Sequence, residues 1–147
     1  TRLLERIMPE VAERVGAGRA VVEFGAGSLT KTPILLRAIE PSRYVPVDIS
    51  GDYLRQSAAE LAADFPDLPI EPVEANFAEP IALPDDVQGL PKLGFFPGST
   101  IGNFVPRSAT DLLRHFRATL GTGSLLLIGM DRVKPVERLL AAYDEPE

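Results

Sequence analysis

The chain has 147 residues and a mass of 15.9 kDa, which is the size of one ordinary domain. Hydrophobic residues make up 45% of it and charged residues 24%, and this composition excludes a disordered tail. The net charge is −6 and the Lys and Arg residues are scattered, so the basic face required of a nucleic-acid-binding protein is missing. There is no Cys and a single His, His115, so disulfides are excluded and no metal site is expected.

Membrane and secretory signals are also missing from the sequence. No apolar run approaches the roughly 20 residues that cross a bilayer, and no signal-peptide pattern opens the chain. His115 has no serine partner at a recognisable spacing, which disfavours hydrolysis by a catalytic triad. We therefore expect a soluble, cytoplasmic, acidic domain that does not contact membranes.

Helical and strand patterns alternate along the chain. A helix is predicted from Leu3 to Val15, with a kink or restart at Pro9. A second helix should begin near Thr32, as N-cap, with Pro33 at the first helical position. Further helices are predicted at 54–65, 108–120 and 135–143, and strands at 20–24, 44–49, 70–75, 93–96 and 124–130. Seven of the fourteen prolines fall between residues 66 and 97, which predicts short strands joined by stiff loops there. The alternation predicts a doubly wound parallel sheet of about five strands.

A glycine-rich turn follows the first predicted strand. The segment Glu23-Phe24-Gly25-Ala26-Gly27-Ser28 lies between a strand and a helix, where glycines let the backbone approach a ligand closely. Asp48 follows Gly25 by 23 residues and ends the second predicted strand. A carboxylate at that place can accept hydrogen bonds from both ribose hydroxyls of a nucleoside. The alternative is an ordinary tight turn of an α/β protein, but the strand context together with Asp48 favours a nucleoside-containing cofactor.

The sequence of the turn distinguishes between cofactors. A dinucleotide fingerprint would place a third glycine at position 30, which is occupied by Thr30. S-adenosylmethionine (SAM) has no phosphate, and the carboxylate of its amino-acid end suits Lys31 and exposed loop N–H groups. Lys31 could equally be a solvated lysine in the first turn of the helix. The turn favours SAM over NAD.

Three segments together resemble one known family: FFPGSTIGNF at 95–104, EFGAGSLTKT at 23–32 and YVPVDIS at 44–50. They resemble the SAM-dependent L-histidine Nα-methyltransferases, which trimethylate histidine to hercynine in ergothioneine biosynthesis. The similarity covers nearly the whole chain. It implies a Rossmann-like, mostly parallel sheet of a class I SAM-dependent methyltransferase, with strand order 3-2-1-4-5. The fold is expected to be truncated after the fifth strand and its helix, leaving that apolar strand as an unpaired edge open to self-association.

The resemblance also implies roles for individual residues. The implied cofactor-binding residues are Gly25, Gly27, Lys31 and Asp48, with Asn76 and Phe77 around the adenine. Asn103 and Tyr143 are implied to bind the α-amino and carboxylate end of histidine. Family members often have Asp where this chain has Asn76, whose amide oxygen can still accept from the adenine amino group. No catalytic residue is predicted, because the amine needs only to arrive deprotonated and aligned.

The family residues that read the imidazole ring lie beyond the end of this chain. Residues 1–147 are therefore expected to be a partial SAM-binding core, inactive or weakly active alone, whose small-molecule substrate is an amino acid. Three alternatives stay open: a SAM methyltransferase for another amino acid or small amine, a non-catalytic nucleoside-binding module, and an NAD-dependent oxidoreductase. Thr30 disfavours the last of these.

Overall fold

The computed structural model describes residues 2–26, 31–77, 79–96, 106–128, 132–135 and 137. The helices are α1 (Arg2–Val15), α2 (Thr32–Ile39), α3 (Gly51–Asp64), α4 (Asp85–Gln88) and α5 (Pro106–Leu120). The strands are β1 (Ala20–Phe24), β2 (Arg43–Asp48), β3 (Val73–Glu74), β4 (Lys92–Phe96), β5 (Leu125–Ile128) and β6 (Arg132–Pro135). No helix in these ranges is long and apolar enough to cross a membrane.

The strands form one sheet in the order β3-β2-β1-β4-β5-β6. The first five run parallel, so the order predicted for them is confirmed. β1 is central, with Val22 opposite Val45 of β2 and Gly94 of β4. All five residues of β1 are buried, the pattern of a parallel strand covered on both faces.

Alternate residues of each strand face two different layers of helices, as the two-residue repeat of a strand requires. Val21 packs in a buried cluster with Leu4 of α1, Leu35 of α2 and Leu54 of α3. Val22 packs on the other face, in a cluster that includes Phe116 of α5. Helices thus cover both faces, which confirms the doubly wound architecture.

The sheet continues beyond β5, contrary to the sequence prediction. β6 pairs antiparallel with β5, with Leu126 opposite Lys134 and Leu127 opposite Val133. The expectation that the fifth strand is an unpaired edge is therefore wrong, and the argument for self-association through it falls. Pro135, predicted to begin a helix, ends β6 instead. Proline is tolerated in an edge strand, where its missing N–H removes no ladder hydrogen bond from a second neighbour.

Helix α1 passes through Pro9 as a single element, so the helix does not restart there. Its buried side chains, Leu4, Met8, Val11 and Val15, recur on one face and join the core cluster around Val21. A proline removes one backbone hydrogen bond from a helix. Burial of this apolar face offsets that loss, because most helix stability in proteins comes from tertiary packing.

The proline-rich stretch also contains a one-turn helix, α4, which the sequence did not predict. Buried Lys92 stabilises its end, since its Nζ donates to the carbonyl oxygens of Gln88 at 2.7 Å and Leu90 at 2.9 Å. Burial lowers the pKa of Lys92. The third strand is shorter than predicted, because only Val73–Glu74 forms a ladder while Ile70 makes an isolated bridge to Tyr44.

Candidate functional site

The carboxyl ends of β1, β2 and β3 meet at one edge of the sheet. β1 ends at Phe24, which lies opposite Val47, and the next residue of β2, Asp48, lies opposite Glu74. This register brings Gly25 and Asp48 to the same edge as the residues that follow β3. Ligands of open α/β sheets bind at this edge. The structure thus places the predicted residues Gly25, Asp48, Asn76 and Phe77 along it.

Gly25 begins the turn in a left-handed conformation, with φ of 70°. A Cβ at this position would lie 3.0 Å from Cε2 of Phe77, so the ring lies directly against the backbone. The N–H groups of Gly25 and Ala26 both donate to the carbonyl oxygen of Val47, at 2.9 and 3.0 Å. Phe77 is held in turn by Phe96, with ring centroids 5.6 Å apart. Glycine is therefore favoured here by the backbone conformation, and an added Cβ would press on the Phe77 ring.

We expect Gly25→Ala to lower the free energy of unfolding by more than Gly18→Ala does. Both positions have positive φ, which costs an alanine roughly 1–2 kcal/mol. Nothing lies within 4 Å of a Cβ built on Gly18, whereas Gly25→Ala must also displace the Phe77 ring. Urea unfolding of the two variants measures the difference. Equal losses of unfolding free energy in the two variants would show that the Phe77 ring moves aside at no cost in stability.

Asp48 is followed in the chain by two exposed apolar side chains, those of Ile49 and Tyr53. The Asp48 Oδ1 accepts the Ser50 N–H at 3.1 Å, and its carbonyl oxygen accepts the Ala75 N–H at 3.0 Å. Ile49 is 71% exposed and Tyr53 50% exposed. The sequence did not single out these two residues, because exposure of an apolar residue is a tertiary property. A carboxylate beside apolar surface suits a ligand that combines hydroxyl groups with a flat ring.

Glu23, quoted with the turn but given no role from the sequence, is buried near the end of β1 with 2% of its surface exposed. Its Oε1 accepts hydrogen bonds from the Thr32 hydroxyl and the Tyr44 hydroxyl, each at 2.6 Å. Burial raises the pKa of Glu23 from 4.5 to about 7, and the two hydrogen bonds act in the opposite direction. The one sequence signal was a charged residue in an otherwise apolar strand.

The start of α2 differs from the sequence prediction. Lys31, not Thr32, is the N-cap residue, and Thr32 is the first residue of the helix. The Thr32 hydroxyl binds Glu23 instead of capping the helix. Lys31 is partly buried, and its contact with a ligand carboxylate stays a prediction. Gly27, Asn103 and Tyr143 lie outside the described residues, so their predicted roles also stay predictions.

Comparison with solved structures defines the class of fold. The chain is similar to a putative SAM-dependent methyltransferase from Methanococcus maripaludis, with a TM-score of 0.60 and 16% identity, over 96% of this chain and 62% of that one. It is also similar to the CcbJ methyltransferase of Streptomyces caelestis, with a TM-score of 0.59 and 22% identity, over 86% of this chain and 51% of that one. The fold is that of the class I SAM-dependent methyltransferases, as predicted.

Sequence comparison defines the family. Residues 1–147 match the family described as histidine-specific, SAM-dependent methyltransferases, and the chain belongs to it. It is 34% identical to a histidine Nα-methyltransferase of Mycolicibacterium smegmatis, over 98% of this chain and 45% of the relative. It is 26% identical to the 4-dimethylallyltryptophan N-methyltransferase of Aspergillus fumigatus, over 96% of this chain and 45% of the relative. The chain thus spans less than half the length of these curated relatives.

Proposed function

We propose that residues 1–147 form the SAM-binding core of a methyltransferase that methylates the α-amino group of L-histidine. The observation that supports this most directly is the family match along the whole chain, in a fold that gathers Gly25, Asp48 and Phe77 at one sheet edge. The curated relatives are more than twice as long as this chain. The activity of the whole protein is therefore also part of the proposal. A cytoplasmic location is part of it too.

The arrangement of the edge fits the parts of SAM. The Asp48 carboxylate would accept hydrogen bonds from the ribose hydroxyls, and the exposed Ile49 beside it would cover one face of the adenine. The Asn76 amide oxygen would accept from the adenine amino group, next to Phe77. Burial of Ile49 under a flat ring would remove apolar surface from water, which favours binding. Gly27 and Lys31 are assigned to the amino-acid end of the cofactor.

The chemistry that SAM supplies is an electrophilic methyl group on a sulfonium. The task of the protein is to hold that methyl group and an amine lone pair in line and within near-attack distance. A neutral amine is a competent nucleophile, so this assignment requires no metal ion and no strong general base. Asn103 and Tyr143 are proposed to hold the α-amino and carboxylate groups of the acceptor.

Equilibrium binding tests the cofactor assignment. Calorimetric titration of the chain with S-adenosylhomocysteine, SAM and NAD should show binding of the first two and none of NAD. Binding of NAD alone would contradict the proposal and favour an oxidoreductase. If the chain binds none of the three compounds, no nucleoside-dependent function can be assigned to this edge.

Asn103→Ala should separate the acceptor from the cofactor. In a chain of the relatives' full length, we expect weaker histidine binding, with S-adenosylhomocysteine affinity retained within about threefold. The reason is that Asn103 follows β4, whereas the inferred cofactor groups follow β1, β2 and β3. Calorimetry with both ligands measures the two effects. An equal loss for both ligands would show that the segment around Asn103 is structural.

A second candidate acceptor is a tryptophan derivative. The relative from Aspergillus fumigatus is named for methylation of 4-dimethylallyltryptophan, and it matches 96% of this chain. The proposed cofactor site is compatible with either acceptor, because it would hold only SAM. Methyl transfer by the full-length protein to histidine and to 4-dimethylallyltryptophan, measured side by side, distinguishes the two candidates.

A further inference from the structure

The glycine turn between β1 and α2 is attached to the sheet at both of its described ends. At the first end, the Gly25 N–H donates to the Val47 carbonyl oxygen of β2 at 2.9 Å. At the second end, the Thr32 hydroxyl donates to Oε1 of Glu23 in β1 at 2.6 Å. The second attachment runs through a side chain, so a single substitution can release it while the backbone of the turn stays intact.

We propose that Glu23 is a positioning residue for cofactor binding, because its hydrogen bond with Thr32 holds the start of α2 and the adjoining end of the glycine turn against β1. This inference rests on the proposed function, since it concerns the SAM site. Glu23 acts through the turn and does not itself touch the methyl group.

The surroundings of Glu23 support a positioning role over simple packing. Its partners in the sheet register are Pro46 of β2 and Phe95 of β4, neither of which has a side chain that hydrogen-bonds. No ion pair among the described residues involves Glu23, so its burial is not compensated by a cation. Burial of a carboxyl without a cation costs free energy even when the carboxyl is hydrogen-bonded, whereas an apolar side chain would pack there without that penalty. What the carboxyl adds is a shared acceptor for the hydroxyls of Thr32 and Tyr44, and Thr32 is the first residue of α2.

The Tyr44 hydroxyl belongs to the same cluster, because it also donates to Oε1 of Glu23 at 2.6 Å and is a hydrogen-bonding neighbour of the Thr32 hydroxyl. Thr119 supplies a matched control outside this cluster. It is buried in the last turn of α5, and its hydroxyl oxygen accepts the Ile81 N–H at 3.0 Å. Thr119→Val removes one hydrogen bond by the same exchange of side chains as Thr32→Val, but it leaves the contact between Glu23 and Thr32 in place.

The test compares three variants of the chain by calorimetric titration with S-adenosylhomocysteine. Thr32→Val should weaken binding by about five- to twentyfold, because the start of α2, with Lys31 before it, is then no longer held against β1 and cofactor binding must fix its position. Thr32→Ser keeps the hydroxyl, and Thr119→Val keeps the contact between Glu23 and Thr32, so both should bind within about threefold of the parent. Thermal unfolding should show that Thr32→Val and Thr119→Val lower stability by similar amounts.

Three outcomes would contradict the inference, and they are distinguishable. If Thr32→Val binds as tightly as the parent, the hydrogen bond does not position the turn, and the proposed function stands. If Thr119→Val loses as much affinity as Thr32→Val, the loss follows fold stability and Glu23 is only structural. If the parent chain itself does not bind S-adenosylhomocysteine, the proposed function fails and this inference fails with it.

Discussion

Asp48→Ala should weaken S-adenosylhomocysteine binding by about ten- to hundredfold. The expected loss is that of a charge-assisted interaction with two ribose hydroxyls, worth roughly 1.5–3 kcal/mol. Asp48 ends β2 at the edge shared with Gly25, and its backbone is held by the Ala75 N–H at 3.0 Å. The substitution therefore removes the carboxylate without removing this anchor. Calorimetry on the folded variant measures the effect.

Asp52 provides the matched control for Asp48. It lies in the first turn of α3, its side chain is fully exposed, and its Oδ1 pairs with Arg55 at 2.6 Å. Asp52→Ala changes the local charge by the same amount as Asp48→Ala, and we expect its affinity to stay within about threefold of the parent. Unchanged binding by Asp48→Ala, or a loss as large in Asp52→Ala, would contradict the assignment of Asp48 to the ribose.

Glu23→Gln should remove a large pH dependence of stability. The pKa of Glu23 is about 7 in the folded chain, against 4.5 for an ordinary glutamate. Between these values the folded state binds more protons than the unfolded state, so the free energy of unfolding falls as pH rises. From about pH 5 to about pH 8 the parent should lose roughly 2–3 kcal/mol through this group. Glutamine does not titrate, so the variant should lack this decline.

Urea unfolding at the two pH values, followed by circular dichroism, measures this change. Glu71→Gln is the control, because the pKa of Glu71 is also raised, by partial burial and by its contact with Asp86. Glu71 lies near Arg43 at the start of β2, far along the strand from the glycine turn. Glu71→Gln should keep most of the decline in the free energy of unfolding that the parent shows between the two pH values. A decline of the same size in Glu23→Gln would show that another group is responsible.

The parts of the site that sequence could predict are those specified locally. A buried strand followed by Gly25, and a second strand ended by Asp48, form patterns that need no tertiary information. The hydrogen-bond partner of the Thr32 hydroxyl could not be predicted in this way. Threonine before proline favours an N-cap, but a 2.6 Å hydrogen bond to buried Glu23 competes for that hydroxyl. That partner is set by the packing of α2 on the sheet, which no local pattern encodes.

Strand β6 was missed for a related reason. Arg132–Pro135 contains a lysine and a proline, and neither residue is typical of a strand. Its conformation is determined by pairing with β5, a strand of four consecutive apolar residues whose other side is paired with β4. β1, β2, β4 and β5 were predictable because each carries its own hydrophobic pattern, whereas β3 is only the two residues Val73–Glu74 of the six that were predicted. The sixth depends on its neighbour.

The double hydrogen bond to the Val47 carbonyl oxygen has a consequence for ligand selection. Because the N–H groups of Gly25 and Ala26 both donate to the Val47 carbonyl oxygen of β2, neither is available to a ligand. A pyrophosphate bound at such a turn depends on free amide donors to balance its negative charge. At Gly25 and Ala26 a diphosphate would meet none, and the same holds for the carboxylate of SAM, so the expectation of exposed N–H donors for it does not apply to these two residues. A positively charged sulfonium or an uncharged thioether needs no such donor. These two residues thus allow close approach while withholding the donors that nucleoside diphosphates require.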